Sequence, residues 1–366
     1  MNPQLLAQNY HRALPLIRRL PNWLQIKIAS SGRKLFMEHF LIHQPTINYT
    51  PPKEHGTTLW GINFRSPLGN SAGMFKNGEG YDFMAQIGAG FYLGGTSTTN
   101  PRHGNSKKHI THPFISLPQS GMALNFMGLP NLGDEILSRK PITTNKTPGV
   151  PIGWSVMRSP DYPEQPALEK LITSIQRYLA HPLVDFIEIN ESCPNIAKST
   201  GNLIERIDYL GNQLQPLASK KPLIIKLSCD LNEQLVESMV TRLIELGFAG
   251  ITLGNTSTDY GLYQHKLPAH EQSVFNYFTA NFGGGISGKS LNSRSLRISA
   301  IAAEVTHKLS PNHEFHIIRS GGVASYNDMI DARKHGICLS QWFSGFFDNY
   351  TIFGDKLYQQ LWNTPQ

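Results

Sequence analysis

Short apolar, β-branched runs recur along the chain at Ser66–Ala72, Gly90–Thr96, Val150–Met157, Val184–Asn190, Pro222–Ser228, Ala249–Asn255, Phe315–Ser320 and Ile337–Ser344. Runs of this length, bounded by Gly, Pro and Asn, read as strands buried on both faces. Between most of them the apolar positions fall three and four apart, which predicts helices over 77–88, 165–180, 202–218, 231–247, 292–308 and 325–335. Eight alternating strand–helix units predict an α/β fold, a (β/α)8 TIM barrel. An open doubly wound sheet is the other arrangement of such units, but no G-x-G-x-x-G turn follows the first strand. Two connections, 97–132 and 256–290, are much longer than the rest and leave the carboxyl ends of strands, where lids and site walls are found.

The first 44 residues follow a different pattern. Leu5, Leu6, Tyr10, Leu14 and Ile17, then Leu24, Ile28, Leu35 and Phe36, keep helical spacing, with Pro15 and Pro21 expected to break the segment into short helices. Arg12, Arg18, Arg19, Lys27, Arg33 and Lys34 stand between them against Glu38 alone. A basic amphipathic pair of helices suits a bilayer surface; the alternative is a helical cap packed on the main domain. Residues 45–58 are rich in turn formers and read as a linker. The expected organisation is thus a membrane-associating extension over 1–44 and a barrel over 45–366.

Composition narrows the class. In 366 residues, 40% are hydrophobic and 16% charged, as in ordinary folded proteins. The formal net charge of +7 is concentrated in the amino-terminal segment, interleaved with large aliphatic residues, which favours lipid over nucleic acid. No apolar run approaches the roughly 20 residues of a spanning helix, and no secretory signal is visible. Three cysteines, Cys193, Cys229 and Cys338, show no paired spacing, and no His/Glu cluster has metal-ligand spacing, so neither a disulfide framework nor a metal site is expected.

The chemistry gathers at strand ends. Val184–Asn190 runs into Glu-Ser-Cys-Pro-Asn195, which sets two amides, Asn190 and Asn195, and a thiol, Cys193, on the loop leaving a strand. Planar amides can both donate to and accept from an amide-bearing ring. Lys76 and Lys226 follow the first and fifth strands, where a buried ammonium needs a negative partner, whether an acidic residue or a bound ring. Gly283-Gly-Gly-Ile-Ser-Gly288, Arg319-Ser-Gly-Gly322 and Ser344-Gly345 lie near the last two strands, where glycine-rich backbone and a helix amino terminus bind phosphate.

Together these motifs resemble the dihydroorotate dehydrogenase family. Ser66-Pro-Leu-Gly-Asn-Ser-Ala-Gly-Met-Phe-Lys-Asn-Gly-Glu79, Gly95-Thr-Ser-Thr98, Gly104-Asn105, Asn125-Phe-Met-Gly128 and Asn190-Glu-Ser-Cys-Pro-Asn195 carry the likeness, with Lys226, Asn255-Thr256, Gly285-Ile-Ser-Gly288, Ser320-Gly-Gly322 and Phe343-Ser-Gly-Phe346. They run in order from about residue 45, and the basic helical start is similar to the quinone-using class 2 members. The resemblance implies FMN-dependent oxidation of dihydroorotate to orotate in pyrimidine biosynthesis, with Cys193 as the base at C5 and the C6 hydride passing to the flavin. It implies substrate contacts from Lys76, Asn125, Phe126, Met127, Gly128, Leu129, Asn190, Asn195, Asn255 and Thr256. For FMN it implies Ala72, Gly73, Lys76, Thr96, Ser155, Asn190, Lys226, Gly254, Gly288, Gly322, Phe343 and Ser344. It further implies a membrane quinone as acceptor and a peripheral place on a membrane. The cytoplasmic face of a bacterial inner membrane is expected, with a mitochondrial inner membrane or the cytoplasm as alternatives.

The chain departs from the class 2 pattern in several places. Cys193 stands where class 2 members carry Ser, and a thiol, with a pKa near 8.5, abstracts a proton more readily than an alcohol. Ser155 replaces an Asn, Gly254 a Thr, Met74-Phe75 an acidic residue, and His109-Ile-Thr-His-Pro-Phe114 a Pro-Arg-x-Phe-Arg segment. These departures keep two other readings open: an FMN oxidoreductase for another dihydropyrimidine, and a non-catalytic barrel on a membrane surface.

Overall fold

The eight strand-forming runs all become parallel strands of one sheet in the computed structural model, which describes residues 1–192, 203–217 and 220–363. They are β1 (Leu68–Asn70), β2 (Tyr92–Ser97), β3 (Ile152–Val156), β4 (Phe186–Asn190), β5 (Leu223–Leu227), β6 (Gly250–Leu253), β7 (His316–Ser320) and β8 (Leu339–Trp342). Each of β2 to β8 pairs with its sequence neighbour or, for β8, with β1 as well. The last gap, between β1 and β2, is closed largely by a side chain. Asn70 donates through Nδ2 to the Leu93 carbonyl (2.7 Å) and accepts from the Leu93 amide at Oδ1 (3.2 Å), so its amide mimics a peptide group. Backbone bonds Gly90 N to Leu68 O (2.8 Å) and Gly95 N to Phe75 O (3.0 Å) flank it. The sheet is thereby a closed (β/α)8 barrel, and β1 is shorter than its apolar run because Asn70 takes over the pairing.

Alternation along the strands sorts the side chains. Leu93, Phe186, Ile224, Ile318 and Leu339 face inward near the amino ends, where Leu59 and Phe64 of the hairpin Thr57–Phe64 complete the layer and floor the barrel. Trp60 locks that hairpin by donating from Nε1 to the Ala249 carbonyl (2.9 Å). The opposite faces of the strands pack on helices that include Glu164–Ala180, Leu203–Leu214, Glu233–Glu245 and Asn292–Leu309.

The two long connections are not independent lids. The first forms a small hairpin (Ser106–Lys107 with Ile110–Thr111) and the strands Phe114–Leu117 and Met122–Asn125; the second carries a helix, Ala269–Asn281, and the strand Gly285–Gly288. Gly285–Gly288 pairs antiparallel with Met122–Asn125, which pairs with Phe114–Leu117, making one three-stranded sheet from both connections.

Two helices, α1 (Pro3–Ile17) and α2 (Asn22–Phe40), precede the barrel. Contrary to expectation, Pro15 does not break α1: it lies in the last turn with its ring exposed, where only its own missing amide is lost. Pro21 does separate the two, standing at the amino end of α2. Ser30 docks α2 on the sheet beneath by accepting from the Phe114 amide (2.9 Å) and donating to the Phe114 carbonyl (3.3 Å). Phe40, 1% exposed, enters the main core, with Phe83 at 4.9 Å and Tyr350 at 5.2 Å edge to face and Phe75 stacked at 6.0 Å. Beyond α2, Asp355 holds the linker through His43 Nε2 (2.9 Å) and the Thr46 amide (2.8 Å).

Because Phe40 is a core residue, Phe40→Ala is expected to lower the free energy of unfolding by about 3–5 kcal/mol. Urea denaturation measures this; a loss under about 1 kcal/mol, the range of ordinary surface changes, would show that α2 is a detachable appendage.

Candidate active site

Above the apolar floor, the next inward layer of the barrel is charged. Lys226 of β5 donates from Nζ to Glu188 Oε1 of β4 (3.3 Å) and to Gln341 Oε1 of β8 (3.0 Å). Glu188 Oε2 accepts from Gln341 Nε2 (2.7 Å) and from Thr252 Oγ1 of β6 (3.0 Å). Both members of the ion pair are 1% exposed. A buried pair of this kind survives only when hydrogen bonds satisfy its remaining atoms, and Thr252 and Gln341 supply them. Lys226 therefore has an acidic partner inside the barrel. Glu188 could have been found from sequence, because it sits two residues before Asn190 on the same strand face; Thr252 and Gln341 carry no such signal.

At the carboxyl ends a string of neutral polar groups crosses the mouth. Thr96 Oγ1 meets Ser155 Oγ at 3.0 Å and accepts from Asn190 Nδ2 at 3.2 Å. Asn190 Oδ1 accepts from the Ser192 amide (3.1 Å) and hydroxyl (2.8 Å), and Asn255 Nδ2 donates to Ser192 Oγ (2.9 Å). Strands β2, β3, β4 and β6 are thus joined at one level. Ser192, which sequence reasoning passed over, is the link between the two amides. Beside the string, among the described residues, Thr256 Oγ1 is buried without a hydrogen-bond partner, and Gly73 (φ +91°) faces open space where a Cβ would meet nothing within 4 Å. A missing partner and free volume at one strand-end rim are what a bound polar ring would fill.

The three glycine-bearing turns converge as expected. Ser344 Oγ donates to Ser287 Oγ (3.1 Å), bringing the end of β8 to Gly288. Gly322 (φ +80°) packs so closely on the backbone nitrogen of Asn292 that any Cβ would collide, and its carbonyl accepts from Asn292 Nδ2 (3.2 Å). Asn292 opens the 18-residue helix Asn292–Leu309. Phe343, half-buried, packs on Phe347 at 5.3 Å.

The other expected residues that the structure describes lie on strand ends and on the segments that follow them. Asn125 ends its strand opposite Gly285, to whose carbonyl it donates (3.4 Å). Phe126 through Leu129 are pinned by the preceding loop: the Phe126 amide bonds Pro113 O (2.9 Å), Asn105 N bonds Met127 O (2.8 Å) and Arg102 Nε bonds Gly128 O (3.2 Å). Lys76 is half-buried at the end of the segment that follows β1. His112 lies close enough to feel it: burial first, then the charges of Lys76, Arg33 and Lys34, hold that imidazole below its usual pKa. Gly254 directly follows β6, and Ala72 adjoins Gly73. Cys193 and Asn195 lie outside the described residues. Leading to them, Glu191 is buried between Arg206 Nε (3.2 Å) and Arg158 Nε (3.6 Å), an ionic anchor that the sequence reading did not single out. Burial pushes the Cys229 thiol up to about 12 and raises that of Cys338 as well, which disfavours the thiolate at both.

Fold and site place the molecule among (β/α)8 barrels whose polar groups gather at the carboxyl ends of the strands. The sequence model of the dihydroorotate dehydrogenase family matches residues 55–363, and the chain belongs to that family. Among curated relatives, the dihydroorotate dehydrogenase (quinone) of Methylobacillus flagellatus is 28% identical over 85% of this chain and 88% of its own. That of Pseudomonas fluorescens is 27% identical over 88% of this chain and 89% of its own. Among solved structures, the enzyme of Eimeria tenella in complex with ferulenol superposes with a TM-score of 0.71 at 18% identity, over 91% of this chain and 89% of that one, a likeness of fold.

Lys226→Met is expected to destabilise the protein by about 3–5 kcal/mol, because Glu188 is left charged and buried. Lys226→Met combined with Glu188→Leu should recover most of that loss in urea denaturation. A double variant no better than the single one would mean that the pair does not act as a unit.

Proposed function

We propose that this protein oxidises dihydroorotate to orotate with FMN bound across the barrel mouth and passes the electrons to a membrane quinone. The observation that carries the reading is the string Ser155–Thr96–Asn190–Ser192–Asn255, a row of planar and hydroxylic groups at one level beside the open space at Gly73. The donor set fits a flavin: amides and hydroxyls for its ring edges, a buried ammonium, and glycine turns meeting a helix amino terminus for its phosphate. Ala72, Gly73, Lys76, Thr96, Ser155, Asn190, Lys226, Gly254, Phe343, and for the phosphate Gly288, Gly322 and Ser344, would hold it. When bound, FMN supplies the hydride acceptor.

The chain's own residues do the remaining work. Asn125, Asn190, Asn195, Asn255 and Thr256 present amides and a hydroxyl to a cyclic imide, and Thr256 Oγ1, unpartnered among the described residues, has a hydrogen bond to give. Lys76 meets the substrate carboxylate. Segment 126–129, pinned from behind by Arg102, Asn105 and Pro113, walls the site from water. Cys193, two residues beyond the buried Glu191 in sequence, takes the proton from C5. Glu188 and Gln341 keep the Lys226 ammonium in one place beneath the string.

Two features support the membrane acceptor. The relatives with which the chain aligns over most of its length are quinone-type enzymes. Leu5, Leu16 and Trp23 of the amino-terminal helices are exposed, alongside exposed Arg12, Arg19 and Lys27. Ile352 and Phe353 are also exposed, and α1 reaches their backbone through Gln4 Nε2 to Ile352 O (3.1 Å). Apolar side chains ringed by cations suit an anionic bilayer surface. No described helix is long and apolar enough to cross a membrane.

An absorption spectrum before and after anaerobic dihydroorotate tests the reaction. A flavin band that bleaches is the expected result; one that persists while dihydrouracil bleaches it moves the substrate to another dihydropyrimidine, a shift for which the hydroxyl of Ser155 is the reason to look. No flavin band after adding FMN leaves only a non-catalytic barrel. Cys193→Ser should keep the flavin and move the rising limb of the rate of bleaching to higher pH, because an alcohol's pKa lies far above a thiol's; an unmoved limb removes Cys193 as base. Reversing Arg12, Arg19 and Lys27 to Glu should abolish sedimentation with anionic liposomes without loss of flavin, and continued sedimentation would place the membrane contact elsewhere.

A further inference from the structure

Arg319, in β7, is wholly buried. Its neighbours Ile318 and Ser320 face the barrel interior, Ser320 Oγ meeting Ser71 Oγ at 3.3 Å, so Arg319 points out into the helix layer. Its Nε donates to Ser295 Oγ (3.0 Å), its Nη2 to the Asn292 carbonyl (2.8 Å) and its Nη1 to the Asp328 carbonyl (3.2 Å). All three acceptors are neutral. The carboxylate of Asp328, the acid that most offsets the charge, is turned to other donors: Asn292 Nδ2 (2.7 Å), Ala324 N (2.9 Å) and Ser325 N (2.8 Å). Burial lowers the guanidinium pKa to about 10, with Asp328 and Asp331 acting in the other direction, so it stays charged at neutral pH.

A buried cation without an ion pair is costly unless an anion answers it. The residues that Arg319 grips lead to one place. Ser295 Oγ donates on to the Gly321 carbonyl (2.6 Å), and Asn292 Nδ2 to that of Gly322 (3.2 Å). The guanidinium thus sits behind the turn Ser320-Gly321-Gly322 and braces it against the start of the helix Asn292–Leu309.

We propose that Arg319 is a specificity-determining residue: a fixed charge behind the glycine turn that makes the site select a phosphorylated flavin, FMN, over riboflavin. This rests on the reading above, in which that turn receives the FMN phosphate. Wholly buried behind the turn, Arg319 would act on the phosphate through its field and not by contact, and the phosphate would answer the buried charge.

The test is fluorescence titration of the full chain, freed of flavin, with FMN and with riboflavin. In Arg319→Gln, FMN is expected to bind about tenfold more weakly or worse, as loss of one unit charge through partly screening protein predicts, while riboflavin affinity is unchanged. Equal weakening of both flavins would mean that Arg319 only braces the fold, and an unchanged FMN affinity would remove it from recognition; either overturns the proposal. Should Arg319→Gln fail to fold, Asp328→Asn removes an opposing negative charge and should raise the preference for FMN over riboflavin; an unchanged or reduced preference overturns the proposal equally. If the unaltered protein binds neither flavin, the functional reading itself fails first, and the proposal with it.

Discussion

An ammonium and a carboxylate 3.3 Å apart, 1% exposed in the middle of a barrel, constrain everything around them. Neither can lose its partner without leaving a charge in a medium that solvates it poorly, so strands β4 and β5 must keep the register that sets Asn190 opposite Lys226. Thr252 and Gln341 extend the same demand to β6 and β8. The layer below is apolar, and the layer above is neutral and hydrogen-bonding. The charged layer therefore fixes the height at which the mouth begins, and the string through Thr96, Asn190 and Ser192 inherits its position from that rigid base.

Around the mouth, segments distant in sequence depend on one another. The strand Gly285–Gly288 pairs with Met122–Asn125, and α2 grips the outer member of that sheet at Phe114 through Ser30. The helices that carry the basic surface are thus coupled by direct hydrogen bonds to the strand next to Asn125. Phe40 ties the same helix to the aromatic cluster of Phe75, Phe83 and Tyr350. The amino-terminal segment, whose pattern suits a bilayer surface or a packed cap, is fastened to the main domain by these contacts.

How much of this was legible in the sequence follows from range and from pattern. The eight strands were, because strands covered on both faces are continuously apolar. The glycine turns and strand-end amides were, because special backbone and polar groups at the end of an apolar run are conspicuous. The mouth sheet was not: its pairing joins residues such as Asn125 and Gly285, and nothing local signals so distant a partner. The extent of β1 was not, because a side chain, Asn70, replaces peptide groups in the ladder. Pro15 misled, because a proline in a last turn gives up only one hydrogen bond. Arg319 stood in view at the head of a glycine turn, but its part did not, since a lone arginine in an apolar run gives no sign of whether it faces helices or solvent.

The floored amino end of the barrel has a consequence for traffic. With Leu59 and Phe64 packed against Leu93, Phe186, Ile224, Ile318 and Leu339, nothing passes through that end. Whatever enters the barrel, and whatever leaves, must use the one rim that the mouth sheet partly covers. All exchange is thereby confined to the carboxyl-end face, where the mouth sheet and the helix α2 that grips it stand over the strand ends.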